Sequence, residues 1–447
     1  MDYIPHSEEQ VREMLGRLGL ASMDGLFSDI PPSLRLKKSV DLPPGLNEHD
    51  LRLKFRSLMA LNTVSASRQI CLMGAGAYSH FIPSAIDAIA SRGEFLTAYT
   101  PYQPEISQGL LQSIWEFQEM VCRLTGLEVS NASHYDGATA LNEALIMAAN
   151  ITGKKRILLP DTVNPQYREV CETCNMSKRF DLAGMKNSSG RLDPAALKKA
   201  LDGNTAAVVV QSPNWFGLIE DLEEAGLQAR EKGALLIALM NPVSLGLLRS
   251  PGECGADIAV AEGQPLGIPL SFGGPYLGIL ATRKKFIRNL SGRIVGRTVD
   301  SSARTAYVLT LQTREQHIRR EKASSNICSN QALSALRAGI YLTLMGGQGL
   351  RAVALACNRG ALRLFRSLTG TGLLRSAFDG PFFNEFCVRF PSAVERDRVR
   401  ASLMKEDIQL GVPLDDPSDG LLVCVTETVS EEDLDHVARR VKELLHG

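Results

Sequence analysis

The feature that most constrains this chain is a series of short apolar segments in its middle third: Arg156 to Pro160, Ala206 to Gln211, Ala234 to Asn241, Asp257 to Glu262 and Tyr276 to Thr282. Each has the length of a strand, and each is nearly continuous in apolar residues rather than alternating. A strand of that kind must be covered on both faces. Helix signals lie between several of them. Asp193 suits an N-cap and Pro194 a first helical turn, leading into Ala195 to Leu201. Buried strands alternating with helices predict an α/β fold with a mostly parallel central sheet covered by helices. In such sheets ligands sit beyond the carboxyl ends of the strands.

The flanks differ from this middle region. Ser7 to Gln10 reads as a capping box, followed by Val11, Met14, Leu15 and Leu18 at helical spacing. A Pro-containing stretch from Phe27 to Pro44 then excludes regular structure. From Gln331 a helical stretch leads into Gly346-Gly347-Gln348-Gly349. Strand patterns at 385–390 and 421–426 then frame a helix, and a last helix carries Leu434, Val437, Val441 and Leu444 on one face. At 447 residues the chain is too long for one ordinary domain. The expected division is an N-terminal helix and arm over 1–60, a large domain over 61–330 and a smaller α/β domain over 331–447.

Lys plus Arg and Asp plus Glu both number 49, so the net charge is zero. Such a chain has no global field to hold a polyanion, which argues against nucleic acid and anionic membrane as partners. No apolar run approaches the length that spans a bilayer, and Met1 to His6 shows no secretory leader pattern. Nine cysteines scattered through the elements predict reduced thiols and a cytoplasmic location. Cys171 and Cys174 form a lone C-x-x-C with no second pair, so no metal site is expected.

Four segments carry groups suited to chemistry. Phe95 to Gly109, FLTAYTPYQPEISQG, places Tyr99, Tyr102, Gln103 and Glu105 on a strap that Pro101 and Pro104 stiffen toward extended geometry. Asn131 to Met147 breaks from a loop into a helix at Asp136-Gly137-Ala138-Thr139, and an open helix N-terminus is an anion site. Gly267 to Gly278, GIPLSFGGPYLG, permits close backbone approach but lacks the P-loop pattern. Gln312 to Ser329 concentrates Arg314, His317, Arg319, Arg320, Lys322 and Asn326, either as a solvated face or as holders of carboxylate or phosphate.

Together AYTPYQPEISQG, NASHYDGATALNEA, QPLGIPLSFGGPYLG and TREQHIRREKASSNIC resemble the glycine dehydrogenase (decarboxylating) P-protein of the glycine cleavage system, over nearly the whole chain. At this length the resemblance is to subunit 1, the α subunit, of the two-subunit form. It implies the type I pyridoxal phosphate (PLP) fold, like that of aspartate aminotransferase. Enzymes of that fold need an Asp to pair with the pyridinium nitrogen and a Lys to form the Schiff base. Here Asn241 stands at the Asp position and Gln264 at the Lys position, and no Lys occurs between Asn241 and Thr282; Lys284 and Lys285 follow. The resemblance therefore implies that this chain anchors no cofactor of its own, with Asp136 and Thr139 as remnants of an anion site. PLP is expected on a β subunit (subunit 2) in an α2β2 assembly. That assembly would decarboxylate glycine and pass the aminomethyl group to the lipoyl arm of the H-protein, with Tyr99, Tyr102, Gln103 and Glu105 reaching the shared site. The alternatives are a stand-alone type I PLP enzyme, such as an aminotransferase or desulfurase, and a purely structural subunit.

Overall fold

The computed structural model describes residues 5–38, 40–61, 69–187, 189–323, 325–327, 329–370 and 372–446. Of the segments read from sequence, Met1 to Ile4, Ser39, Ser324 and Cys328 lie outside these. The chain divides into two compact units, 1–66 and 67–447.

The first unit has helices at Glu8–Arg17 and Glu48–Met59, with short 3-10 turns at Met23–Phe27 and Pro32–Leu34 between them. The capping box forms as expected: Ser7 Oγ accepts from the Gln10 amide, and Gln10 Oε1 accepts from the Ser7 amide. The Pro-rich stretch is held by Arg35, whose guanidinium donates to the carbonyls of Ile30 and Phe27. Leu15 is the one buried side chain among the described residues of this unit. Leu34, Leu36, Leu42, Phe55, Met59 and Leu61 are all exposed.

The second unit is built on a seven-stranded sheet. In sheet order its strands are Val129–Ser130, Gly278–Thr282, Ile258–Glu262, Leu235–Met240, Thr205–Gln211, Arg156–Pro160 and Asp181–Met185. The last five run parallel, while Gly278–Thr282 is antiparallel to both of its neighbours. The five apolar segments read from sequence are all strands of this sheet. Leu235–Met240, Ile258–Glu262 and Gly278–Thr282 are buried along their whole length, which is why their composition is continuous rather than alternating. The helix Gly137–Thr152 packs on one face through Ala140, Leu141, Ala144, Leu145 and Ala148.

A second, four-stranded antiparallel sheet in the order Arg375–Ser376, Glu385–Arg389, Gly420–Cys424, Val412–Pro413 carries the C-terminal part. The helices Ala393–Met404 and Glu431–His446 bury Val399, Leu403, Leu434, Val437 and Val441 against its core. Ile70–Cys71 pairs with Ile408–Gln409, so the chain just after residue 69 joins this layer. A helical stretch over Ala332–Thr369 runs through both layers; its backbone leaves helical geometry at Gly346, with φ +57°. Glycine tolerates that conformation, and the GGQG motif marks the break. By length and composition this stretch contains a window apolar enough to cross a bilayer. Of its apolar side chains, Ala338, Tyr341, Ala354 and Leu364 line the two protein cores.

Candidate active site

Beyond the carboxyl ends of Thr205–Gln211, Leu235–Met240 and Ile258–Glu262 lies the place where a fold of this topology holds its ligand. Here it is reduced to a cavity of about 30 Å³, lined by Tyr78, Asn164, Tyr167, Asn241, Glu262 and Glu385, among others. That is room for one or two waters. Asn241 follows the Leu235–Met240 strand directly. Its Oδ1 accepts from the Val243 amide at 3.0 Å, and its Nδ2 is buried without a partner. An amide there has no charge with which to hold a protonated ring nitrogen. Gln264 is buried and fully engaged. Its Nε2 donates to the carbonyls of Tyr78 at 2.9 Å and Ile268 at 2.8 Å, and its Oε1 accepts from the Tyr78 amide at 2.8 Å. It fastens the 78 segment to the loop after Glu262.

The helix Gly137–Thr152 points its N-terminus at this place. Asp136 and Thr139 satisfy each other: Asp136 Oδ1 accepts from the Thr139 amide at 2.8 Å, and the Asp136 amide donates to Thr139 Oγ1 at 3.2 Å. Of the remaining first-turn amides, that of Gly137 donates to Glu262 Oε2 at 2.9 Å. Glu262 Oε1 accepts from the amides of Gln264 at 2.9 Å and Leu277 at 3.0 Å. One buried carboxylate thus collects three backbone donors, one of them the Gly137 amide at the helix N-terminus, where a phosphate could otherwise bind. Burial pushes this carboxyl up to about 7, although the three donors pull the other way. Position 137 requires glycine, because a Cβ there would meet the Tyr167 hydroxyl at 2.5 Å. Sequence reading missed Glu262; the signal was an acid ending an otherwise apolar strand.

These residues do not fit PLP: Gln264 and Asn241 stand where the resemblance would place the lysine and the ring-nitrogen partner, and the Glu262 carboxylate takes the amide of Gly137 at the helix start. Lys284 and Lys285 cannot substitute for the missing lysine. They follow the antiparallel strand, whose Thr282 end pairs with Ile258 at the amino end of its neighbour, whereas the cradle lies beyond Glu262 at the other end.

The strap behaves differently. It is not extended throughout: Gly93–Leu96 and Pro104–Ile106 are helical turns, and the helix Gln108–Thr125 begins directly after Ser107. That helix is clamped to the hairpin Ile294–Val299/Thr305–Thr310 by two amide side chains. Gln108 exchanges hydrogen bonds with the Tyr307 backbone and Gln118 with the Val295 backbone, all at 2.9 Å. Pro101 is buried, while Tyr99, Tyr102, Gln103 and Glu105 are exposed. Tyr99, Gln103 and Glu105 make no side-chain hydrogen bond among the described residues, and Tyr99 is 78% exposed. Tyr102 accepts from Arg293 Nη2 at 3.0 Å and meets His317 edge-on. Arg293 is itself buried, its Nε 3.8 Å from Glu315 Oε2, which lies 3.7 Å from His317 Nδ1. The structure therefore joins the strap to part of the basic segment. Arg314 instead donates to the carbonyls of Leu290, Gly292 and Leu311 and holds the loop before the hairpin. Arg319, Arg320 and Lys322 stay exposed.

Two solved structures of low sequence identity define the class. A sphingosine-1-phosphate lyase from Burkholderia pseudomallei matches with a TM-score of 0.67 at 15% identity over 93% of this chain and 94% of its own. An alanine–glyoxylate aminotransferase from Nostoc sp. matches with a TM-score of 0.61 at 15% identity over 90% of this chain and 100% of its own. The fold is that of the type I PLP-dependent enzymes.

The chain belongs to the glycine cleavage system P-protein family, whose model matches residues 1–441. It is 48% identical to a probable glycine dehydrogenase (decarboxylating) subunit 1 of Desulforamulus reducens, covering 99% of each chain. It is 46% identical to the corresponding protein of Moorella thermoacetica over the full length of both. A crystal structure of glycine decarboxylase (P-protein) of the glycine cleavage system, in inhibitor-bound form, superposes with a TM-score of 0.91 at 42% identity, over 99% of this chain and 100% of that one.

Proposed function

We propose that this chain is subunit 1, the α subunit, of a two-subunit glycine decarboxylase. The partner, subunit 2, holds PLP through its own lysine, and the active site lies where the strap meets it. The observation that carries this reading is the filled cradle: a chain of the P-protein family whose own pocket has neither lysine nor room for the cofactor must act through a site it shares. The relatives named as subunit 1 support the existence of a subunit 2. The exposed, unpartnered Tyr99, Gln103 and Glu105 support the strap as this chain's contribution. The exposed apolar side chains of the first unit support its docking on a partner in an α2β2 assembly. The described cysteines are free thiols, which supports work in the cytoplasm.

In this reading PLP, on the partner, supplies the electron sink that takes up the charge released when CO2 leaves glycine. The remaining aminomethyl group passes to the oxidised lipoyl arm of the H-protein. This chain's residues supply walls and hydrogen-bonding groups. Tyr99, Gln103 and Glu105 orient groups across the shared site, and Arg293 holds the Tyr102 ring in place. The test is to express this chain with and without its subunit 2 and measure glycine-dependent exchange of labelled bicarbonate, together with the visible spectrum. The expected result is activity and a yellow colour only when both chains are present. A yellow, PLP-bearing chain in the absence of the partner would overturn the reading in favour of a stand-alone enzyme.

A further inference from the structure

A helix N-terminus with an open amide attracts a phosphate or another anion. In this chain that position is already occupied from within. Glu262 reaches it from the end of a different element, 125 residues along the chain, and its two oxygens take the amides of Gly137, Gln264 and Leu277. We propose that Glu262 is a tethered anion that substitutes for a phosphate group, closing the cradle so that neither free phosphate nor a phosphorylated cofactor binds to this subunit.

Three features support this. The carboxylate is almost fully buried, so it is not a surface acid that happens to lie near a helix. Its donors come from three separate places, the helix start, the loop after the strand and the return to the next strand, so it organises the cradle rather than capping one element. The space beside it holds only about 30 Å³, with Tyr167 and Asn241 closing it. Removal of the side chain beyond Cβ leaves three inward-facing amides with no acceptor, which is a costly arrangement unless an anion enters.

The experiment uses the isolated full-length chain and inorganic phosphate, so it does not depend on the decarboxylase reading. Glu262→Ala and the parent are melted with and without phosphate, and phosphate binding is measured by calorimetry. The expected result is a rise of ~2 °C or more for Glu262→Ala at ~10 mM phosphate, against no rise for the parent at matched ionic strength. PLP should add no aldehyde–lysine band to either, because no lysine faces the cradle. If Glu262→Ala is recovered unfolded, Glu262→Ser, which keeps a hydroxyl for one amide, is measured in the same way, and both are refolded with phosphate present. The proposal is overturned if the variants fold and phosphate stabilises neither, if phosphate stabilises the parent equally, or if neither variant refolds even with phosphate.

Discussion

The cradle beyond the parallel strands and the strap ahead of the Gln108–Thr125 helix carry similar kinds of groups, amides, phenols and carboxylates, yet they use them in opposite ways. In the cradle, the Gln264 side chain makes three hydrogen bonds with the backbones of Tyr78 and Ile268, and Glu262 accepts three more. In the strap, Tyr99, Gln103 and Glu105 are exposed and make none among the described residues. A polar group whose bonding is complete within its chain stabilises the fold. A polar group on a stiff, exposed segment remains available to another molecule. On the proposed reading, the difference marks the strap rather than the cradle as this chain's contribution to a shared site.

The largest effect should come from the strap. In complexes that assemble at normal stoichiometry, Tyr99→Phe or Glu105→Gln should lower glycine decarboxylation by roughly 100- to 1000-fold, the loss of one preorganised contact of about 2.7–4 kcal/mol. Turnover within about twofold of the parent for both variants would make the strap structural and erase the contrast.

The cradle should show itself in stability rather than turnover. Glu262 titrates near 7 in the folded chain and near ~4.3 when unfolded, so the folded state holds its proton more tightly. This contribution is complete below the unfolded value and is lost as pH rises through 7. Glu385, pushed by burial up to about 6, adds in the same direction. The isolated chain should therefore lose on the order of 3 kcal/mol through Glu262 between pH 5 and 8. Glu262→Gln should flatten the dependence of melting temperature on pH, and an unchanged slope would show that this carboxyl does not titrate in the folded chain.

Restoring the missing groups should not restore the cofactor. Gln264→Lys removes the bonds to Tyr78 and Ile268 and should destabilise the chain by about 1–3 kcal/mol. Combined with Asn241→Asp it should still give a colourless protein, because Glu262 keeps the phosphate position. A visible cofactor band in that double variant would show that the cradle is open. The smallest expected effect belongs to the first unit. Removing residues 1–45 should weaken association with subunit 2 by about tenfold, or 1.4 kcal/mol, and change the melting temperature of the isolated chain less. The reverse ordering would mean that this segment serves its own chain.

Much of this was legible in the sequence for identifiable reasons. The buried strands showed because both of their faces are covered, and Gly346 showed because only glycine sits easily at the break. Asp181–Met185, DLAGM, escaped because it is a partly exposed edge strand containing glycine. The hairpin escaped because Ile294–Val299 is exposed over its second half, so its apolar pattern fades. That Gln264 and Asn241 stand where the resemblance expects lysine and aspartate came from the sequence alone. Glu262 showed only as an acid ending an apolar strand, because its role exists only when residues 137, 262 and 277 meet. For the same reason Arg293 and Glu315 gave no local sign that they would pack behind Tyr102.

The central claim, that the cofactor belongs to the partner and this chain supplies the facing wall, is tested most directly by borohydride reduction of the glycine-active complex, followed by mass spectrometry of both chains. Reduction fixes the pyridoxyl group to whichever lysine holds it. The account predicts the label on one lysine of subunit 2 and none on this chain. A pyridoxyl group on any lysine of this chain, Lys284 or Lys285 included, would contradict it.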